Sequence, residues 1–407
     1  MTKRSSYPWA VLAHAFFLQL AVYIVRPTAS YRALELGVDA ALLGLIVASF
    51  SLLPLAAAVW VGRMNDAGHG RALLLAGAVL MVASGVGLLA ATPDVWWLLG
   101  WNVALGLGHL VSLLGEQARI AGSLADGAQR RSLDSLFGLY TFTGSAGQAI
   151  APSLLAVVGG GSVLPHTGPL FGWYLAAAAG MLAVTLPLAL RRGATTPATG
   201  PHAASGAVVR APGPSRLGMR ASLAADPASR RPLVASIGVS MMVLCAIDLI
   251  QVYLPALGVE RGVPAAAVGA LLTARGVATM ASRLAMGRLV TGFGRPWLIL
   301  WGTAAGAAAV LAIAAPMPEW ALAAVLVVAG YALGIVQPLT MTVVSLAAPP
   351  GTAGTRLAAR ITANRLGQAL IPPAVGLLAA GLGTAGVFAA TGVLLRAAAG
   401  AWRAVRP

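Results

Sequence analysis

The six residues GQAIAP, at positions 147–152, recur as GQALIP at positions 367–372, 220 residues further along the chain. Two more pairs occur in the same order and at a similar offset. The stretch GRMNDAGHGR, residues 62–71, has a counterpart in GRLVTGFGR, residues 287–295. Tyr31 of YRALELG corresponds to Tyr253 of YLPALG, 222 residues later. Three ordered matches predict that the chain consists of two related halves, as in proteins built from parallel internal repeats.

The composition of the 407 residues is that of an integral membrane protein. Mean hydropathy is +0.84, 58% of the residues are hydrophobic and only 9% are charged, far from the composition of soluble domains. A spanning helix needs about 20 mostly apolar residues, and twelve runs of this kind are present. We place them at residues 8–29, 40–61, 72–92, 95–117, 136–159, 169–190, 233–257, 265–287, 296–315, 319–345, 360–382 and 384–401.

The fold predicted from these runs is an all-α membrane protein with twelve transmembrane helices in two pseudo-symmetric six-helix bundles. Residues 1–190 form the first bundle and residues 233–407 the second. Residues 191–232, rich in Gly, Pro, Ser, Thr and Arg without helical periodicity, are predicted to be a cytoplasmic linker. We interpret the first run as a retained helix, because it is longer than the apolar region of a cleaved signal peptide.

The formal charge of +16 is distributed unevenly over the loops. With the N-terminus inside, the inner loops and both tails carry most of the basic residues, and the outer loops carry only Arg32 and Arg261. This positive-inside pattern places both termini in the cytoplasm and the chain in the cytoplasmic membrane. It also argues against a nucleic-acid partner. Because Cys245 is the only cysteine, disulfides within the chain and thiolate metal sites are excluded, and no metal ion or cofactor is expected.

The loop of residues 62–71 carries a family resemblance. The chain resembles the major facilitator superfamily, whose best-known signature is G-x-x-x-D-R-x-G-R-R/K between the second and third helices. Gly62 and Asp66 match this signature, whereas Ala67 replaces its arginine and Gly70 with Arg71 lie one position late. The resemblance implies the twelve-helix fold of that superfamily and transport across a membrane.

A second signature indicates a branch of the superfamily. The stretch around GQAIAP is similar to the helix-five signature of drug antiporters, with Gly138, Gly147 and Pro152 in place and Ala151 where that signature has a glycine. The helix-four signature of the same antiporters has an arginine where this chain has Asn102. The resemblance therefore favours a drug-efflux-like, proton-coupled antiporter, with two departures, Ala151 and Asn102.

The superfamily resemblance implies that Asp66 helps to close an inner gate near the start of helix eleven. A carboxylate near a helix N-terminus is stabilised by about 0.3 to 1 kcal/mol. We expect Arg119 and Arg360 to be its ionic partners, and Gly62 to let a neighbouring helix approach closely. The alternative is that Asp66, Arg63 and Arg71 are ordinary polar residues of a cytoplasmic loop.

Charged residues within membrane spans are costly and usually functional. Asp248 in span seven and Arg275 in span eight lie at matching depth. Arg26 precedes Tyr31 as Asp248 precedes Tyr253, so the two occupy equivalent places in the two halves. We expect Asp248 to exchange between Arg26 and Arg275 as an outer gate opens and closes, and its protonation to release the pair. The alternative is a permanent bridge between Asp248 and Arg275.

Several other polar residues at membrane depth are candidates for lining a central cavity. For each amide the alternative is hydrogen bonding between helices, and for His109 it is a packing role. Glu116 is expected to be solvated or paired with Arg119. The cavity candidates are Asn102, His109, Gln148, Gln337, Asn364, Arg365 and Gln368.

These residues together predict a secondary transporter that works by alternating access and exports a small organic molecule against protons. Uptake of a nutrient or organic anion, by symport or uniport, remains the alternative. No constellation with catalytic spacing is present, so we expect no enzyme activity and no catalytic residues. The expected partners are the substrate, protons and the lipid bilayer, and the chain is expected to act as a monomer.

Overall fold

The computed structural model describes residues 9–39, 42–122, 130–190, 227–346 and 353–405, and these residues contain all twelve predicted helices. The final helical segment, Ala353–Val405, divides at Gly383, whose φ of 65° breaks the helix. We number the two parts α11 (353–382) and α12 (384–405). The other helices are α1 (Trp9–Glu35), α2 (Leu43–Met64), α3 (Gly70–Ala90), α4 (Val95–Gly122), α5 (Arg130–Val158), α6 (Thr167–Leu190), α7 (Pro227–Arg261), α8 (Ala265–Phe293), α9 (Arg295–Ile313) and α10 (Glu319–Leu346).

Ten of these helices are long and apolar enough to cross a membrane. The other two are α2, with a shorter apolar stretch over Leu43–Ala58, and α11, whose centre carries Asn364, Arg365 and Gln368. Because α7 begins at Pro227, the last six residues of the predicted linker are helical. Residues 191–226 of that linker lie outside the described part of the chain.

The two halves have the same internal packing. In the first half α1 packs against α5 and α6, α2 against α4, and α3 against α4 and α6. In the second half α7 packs against the α11–α12 segment, α8 against α10, and α9 against α10 and the α11–α12 segment. The repeats read from the sequence therefore correspond to two six-helix bundles of the same topology.

Polar caps at the outer ends of the helices repeat as well. Glu35 accepts hydrogen bonds from the backbone N–H and the hydroxyl of Thr167 at the start of α6, and Glu260 does the same for Thr384 at the start of α12. A carboxylate at a helix N-terminus satisfies N–H groups that have no partner within the helix. The outer basic residue Arg32 donates to Thr92 O after α3, and Arg261 donates to Ile313 O at the end of α9.

The bundles are closed against each other on the outer side. We use outer and inner as the positive-inside pattern assigns them. Across the two halves α2 packs against α11, α5 against α8, and α1 against α7. Gly44 lies so close to α11 that a Cβ there would be 2.3 Å from Pro372 O, and one at Gly269 would be 2.3 Å from Ala156 N. Small residues at these crossings allow the backbones to touch.

The loop between α2 and α3 differs in detail from the sequence expectation. Residues Asn65–His69 form a π-helical turn in which Gly68 has a φ of 88°, so Gly68 is the glycine that this turn requires. A Cβ at Gly62 would meet nothing within 4 Å. The expectation that Gly62 admits a neighbouring helix is therefore wrong, because no other helix of the described residues approaches its Cα in this arrangement.

We predict that Gly44→Ala opens the outer side. The new methyl group cannot fit beside Pro372 O, so the outer ends of α2 and α11 must separate. Spin labels are attached at Asp39→Cys and Leu382→Cys in a Cys245→Ala background. Electron paramagnetic resonance should then report a longer distance between the labels in Gly44→Ala than in protein that keeps Gly44. Gly62→Ala on the same helix, where the space is open, should leave the distance unchanged. An unchanged distance in folded Gly44→Ala protein would contradict this role of the contact.

Candidate functional site

An ion pair joins the two halves in the middle of the membrane. Arg26 Nη1 on α1 contacts Asp248 Oδ1 on α7. Asp248 is only 2% exposed. The two residues are 222 positions apart, the offset that relates Tyr31 to Tyr253, so they are equivalent residues. Equivalent residues of two halves can touch only near the pseudo-two-fold axis, and the pair therefore marks that axis.

The second oxygen of Asp248 is held by α11. Gln368 Nε2 donates to Asp248 Oδ2, and Gln368 Oε1 lies 3.3 Å from Arg365 Nη1 and 3.4 Å from Ser51 Oγ of α2. Asp248, Gln368 and Arg365 are all buried. Two predicted cavity residues thus belong to the same network as the ion pair.

Phe50 of α2 connects this network to α4. The guanidinium carbon of Arg26 lies 4.6 Å from the centre of the Phe50 ring, and that of Arg365 lies 5.8 Å away. The ring of His109 lies 5.4 Å from Phe50. An aromatic face attracts cations, and more strongly where water is excluded. Sequence reasoning missed Phe50, because an apolar residue in an apolar span gives no signal.

The repeated Gly-Gln pair is explained by the structure. A Cβ at Gly147 would be 2.5 Å from Phe16 O of α1, and one at Gly367 would be 2.3 Å from Met241 Cγ of α7. Gly147 therefore brings α5 close to α1, and Gly367 brings α11 close to α7. We call α1 and α7 the axial helices, because they carry Arg26 and Asp248 at the pseudo-two-fold axis. Gln148 then donates to Gln19 Oε1 on α1 at 3.0 Å, as Gln368 reaches Asp248 on α7.

Gln19 extends the network to His109, since its Nε2 lies 3.5 Å from His109 Nε2. Gln19 was not among the predicted residues. The available signal was a single amide within the apolar sequence FFLQLAV of α1. The structure thus brings together six of the predicted residues: Arg26, His109, Gln148, Asp248, Arg365 and Gln368.

Arg275 does not pair with Asp248 in this conformation. It is 3% exposed, and Asp248 is a neighbouring charge, but the carboxylate oxygens are taken by Arg26 and Gln368. A permanent bridge between Asp248 and Arg275 is therefore wrong. Exchange of Asp248 between the two arginines stays a prediction.

Four other predicted residues lie in separate contacts. Asn102 donates to Ile46 O at 2.5 Å and to Ser49 Oγ at 2.8 Å, both on α2, which favours its alternative role in helix association. Gln337 donates to Ser240 O at 2.7 Å and accepts from Arg360 Nη2 at 2.7 Å. Ser240 Oγ lies 3.1 Å from Asn364 Oδ1. Gln337, Asn364 and Arg360 thus form a cluster within the second half.

The predicted inner gate is described in part. The side chain of Asp66 lies outside the described part of the chain, so its pairing with Arg119 or Arg360 stays a prediction. Arg119 and Arg71 lie close together near the inner surface. Burial, and then the positive charge of Arg71, lower the pKa of Arg119.

Glu116 forms a buried cluster that the sequence did not predict. Its Oε1 lies 2.6 Å from Nδ1 of His14 on α1, and its Oε2 accepts from Tyr140 OH on α5 at 2.8 Å. Glu116 is 1% exposed. The expectation that it is solvated is therefore wrong. Because α1, α4 and α5 converge on it, its carboxylate helps to hold the first bundle together.

Comparison with known proteins agrees with this architecture. A family model described as Major Facilitator Superfamily matches residues 236–407, the second bundle. No functionally curated protein is significantly similar to the chain. The chain has the major facilitator fold. A variant of the nucleoside transporter NupG covers 98% of this chain and 99% of its own, with a TM-score of 0.75 and 14% identity.

Two further solved structures share the fold. A bacterial homolog of the human lysosomal transporter Spinster, in an inward-facing and occupied conformation, has a TM-score of 0.66, 17% identity and coverage of 98% and 96%. A POT family transporter in complex with a thioalcohol-conjugated peptide has a TM-score of 0.72, 13% identity and coverage of 96% and 94%. The matched family and structures are transporters, in agreement with the expectation that the chain is not an enzyme. Their different cargoes mean that the fold does not specify a substrate.

We predict that reversing the charges of Arg26 and Asp248 together restores the stability that each single reversal removes. Arg26→Asp or Asp248→Arg places two like charges in contact, and breaking a buried pair costs about 3–5 kcal/mol. The double variant pairs the charges in the opposite sense. A double-mutant cycle on thermal unfolding of purified protein should therefore give a coupling well above 1 kcal/mol. As a control, Arg288→Asp reverses a charge at an exposed position of α8 and should change the unfolding temperature little. Additive effects of Arg26→Asp and Asp248→Arg would refute the pair.

Proposed function

We propose that the chain is a major facilitator superfamily transporter of the cytoplasmic membrane that exports a small organic molecule in exchange for protons. The two bundles, residues 1–190 and 233–407, rock about the axis marked by Arg26 and Asp248 while the linker joins them. The observation that carries the proposal is the buried ion pair of Arg26 and Asp248, which is the one ion pair between the bundles among the described residues. The family match to the second bundle and the fold of the whole chain support the same assignment.

Proton coupling is assigned to Asp248. Protonation would remove its charge, weaken its contact with Arg26 and lower the cost of separating α1 from α7. Opening the outer side would expose Asp248 to periplasmic or external water, where a proton can bind or leave. A ligand or proton shifts such an equilibrium only by its differential affinity for the two states. Asp248 meets this condition because its partners lie on both bundles.

The inner gate and the substrate complete the proposed cycle. Asp66 is assigned to the latch of the inner side together with Arg71, Arg119 and Arg360, and it opposes the outer closure. The substrate binds near the central network, and the transporter works as a monomer. Uptake of an organic anion by symport or uniport is the second candidate, and the excess of arginines around Asp248 favours it.

Proteoliposomes with a pH-sensitive dye inside test the proposal. Anionic, zwitterionic and cationic compounds are added one at a time to vesicles that contain wild-type protein or Asp248→Asn. We expect compound-dependent proton movement in the wild type, and at least a tenfold lower rate in Asp248→Asn, because the amide cannot carry the proton. Asp39→Asn, in an exposed outer loop, should behave as the wild type.

Three other results would change the proposal. Proton-coupled transport that persists in Asp248→Asn would exclude Asp248 and direct attention to Glu116 or His109. Transport without proton movement would indicate a uniporter. Proton movement in the same direction as the substrate would indicate a symporter.

A further inference from the structure

Positive charge is in excess at the centre of the protein. Three arginines lie close to Asp248, namely Arg26, Arg275 and Arg365, and a fourth, Arg283, lies close to Arg275. The carboxylate of Asp248 already accepts from Arg26 and Gln368, and Arg365 has only the neutral Gln368 as its hydrogen-bond partner among the described residues. Uncompensated charges within a membrane are expensive and mark ion or substrate pathways.

Arg275 is the member of this group without a partner. Its guanidinium makes no hydrogen bond or ion pair with the residues that the structure describes, and its buried Nε is explicitly unpaired. The backbone around it is fixed, since a Cβ at Gly330 of α10 would be 2.2 Å from Arg275 O, and one at Gly276 would be 2.9 Å from Ala149 Cα of α5. Held between α5 and α10, α8 cannot easily move the side chain to water.

Arg283 lies two turns further along α8 than Arg275, and both arginines have Tyr23 as a neighbour. Arg283 Nη1 donates to Ser145 Oγ of α5 at 2.5 Å, while its Nε has no partner among the described residues. Tyr23 of α1 is a close neighbour of Arg275 and of Arg283. Two guanidinium groups and a phenol therefore lie near one another where α1, α5 and α8 meet. Asp248 is the only carboxylate among the neighbouring titratable groups that the structure describes.

We propose that Arg275, Arg283 and Tyr23 form a binding site for an oxyanion group, a carboxylate or a phosphate, of the transported substrate. The proposal rests on the transport function proposed above and specifies its substrate class. Guanidinium groups bind carboxylate and phosphate through paired N–H groups. A bound oxyanion supplies the negative charge that the centre lacks, while Asp248 remains paired with Arg26.

Thermal unfolding of the purified full-length chain tests the site without transport. Cys245 is the only cysteine and is buried, so its reaction with a thiol-specific dye reports unfolding. The probes share one ring and differ in charge: benzoate, phenyl phosphate, benzamide and benzylammonium, at constant ionic strength. We expect benzoate or phenyl phosphate to raise the midpoint by about 3 °C or more at saturation, and benzamide and benzylammonium to leave it unchanged. The two oxyanions distinguish a carboxylate site from a phosphate site.

Two variants make the test specific. Arg275→Gln should abolish the shift and should melt, without ligand, at or above the wild-type midpoint, because an uncompensated charge is removed. Arg288→Gln, at an exposed position of the same helix, should keep the shift. The proposal is overturned if neither oxyanion shifts the wild type, if benzamide stabilises as much as benzoate, or if Arg275→Gln keeps the shift or melts well below the wild type.

The outcome is separable from that of the transport assay. Oxyanion binding by a protein that moves nothing in proteoliposomes would refute the proposed function and leave the site in place. Proton-coupled transport of neutral compounds, without oxyanion binding, would refute the site and leave the function in place.

Discussion

Arg26 and Asp248 occupy equivalent positions of a duplicated fold and touch each other, and this contact constrains the rest of the structure. On the pseudo-two-fold axis a perfectly repeated chain would place each residue against its own copy. Two like charges would then repel strongly in a medium of low dielectric constant. The chain instead carries an arginine in one half and an aspartate in the other, so the divergence of the two halves supplies the attraction that closes the outer side.

In the proposed transport cycle, the same contact determines the cost of opening the outer side. Separating the pair without compensation would leave two charges in the membrane, at a cost of several kcal/mol. A proton on Asp248, a new partner for it or an anion beside Arg26 would reduce that cost. The energetic requirement for opening is thus concentrated in one carboxylate, which Gln368 orients through its second oxygen. Closely packed glycines such as Gly44 and Gly269 hold the surrounding helices in contact but carry no charge.

The sequence predicts the fold well because the relevant signals are local. Long apolar runs define the helices, and the Gly-Gln repeat defines the two halves, since each glycine contacts an axial helix and each glutamine reaches a polar group on it. The offset of 222 residues also predicted that Arg26 and Asp248 are equivalent. Their direct contact depends on one further fact, that α1 packs against α7.

Other residues of the site depend on tertiary contacts that no spacing reveals. Phe50 is apolar and becomes distinctive only because two guanidinium groups lie on its ring. Glu116 lies only six residues from the end of α4, yet it is buried because α1 and α5 supply His14 and Tyr140. Gly62 matches a family signature, yet no other helix in the described part of the chain packs against it, and the positive φ of this turn falls on Gly68. Sequence position gives depth along a helix, but it does not give the direction that a side chain faces.

The polar contacts fall into two groups that differ in what a rocking motion would do to them. The cluster of His14, Glu116 and Tyr140 lies within the first bundle, and that of Ser240, Gln337, Asn364 and Arg360 lies within the second. Such contacts move with their bundle, so they do not have to break when the bundles rock. Among the described residues, the side-chain contacts across the bundles are Arg26 with Asp248, Ser30 with Val252 O, Ser51 with Gln368, and Arg283 with Ser145. Only the first of these joins two charged groups. A hydrogen bond contributes about 0.5–1.5 kcal/mol, or about 1.5–3 kcal/mol where one group is charged. In the proposed cycle, protonation of Asp248 would therefore make its contact with Arg26 comparable in strength with the other contacts, and the two states would be closer in free energy.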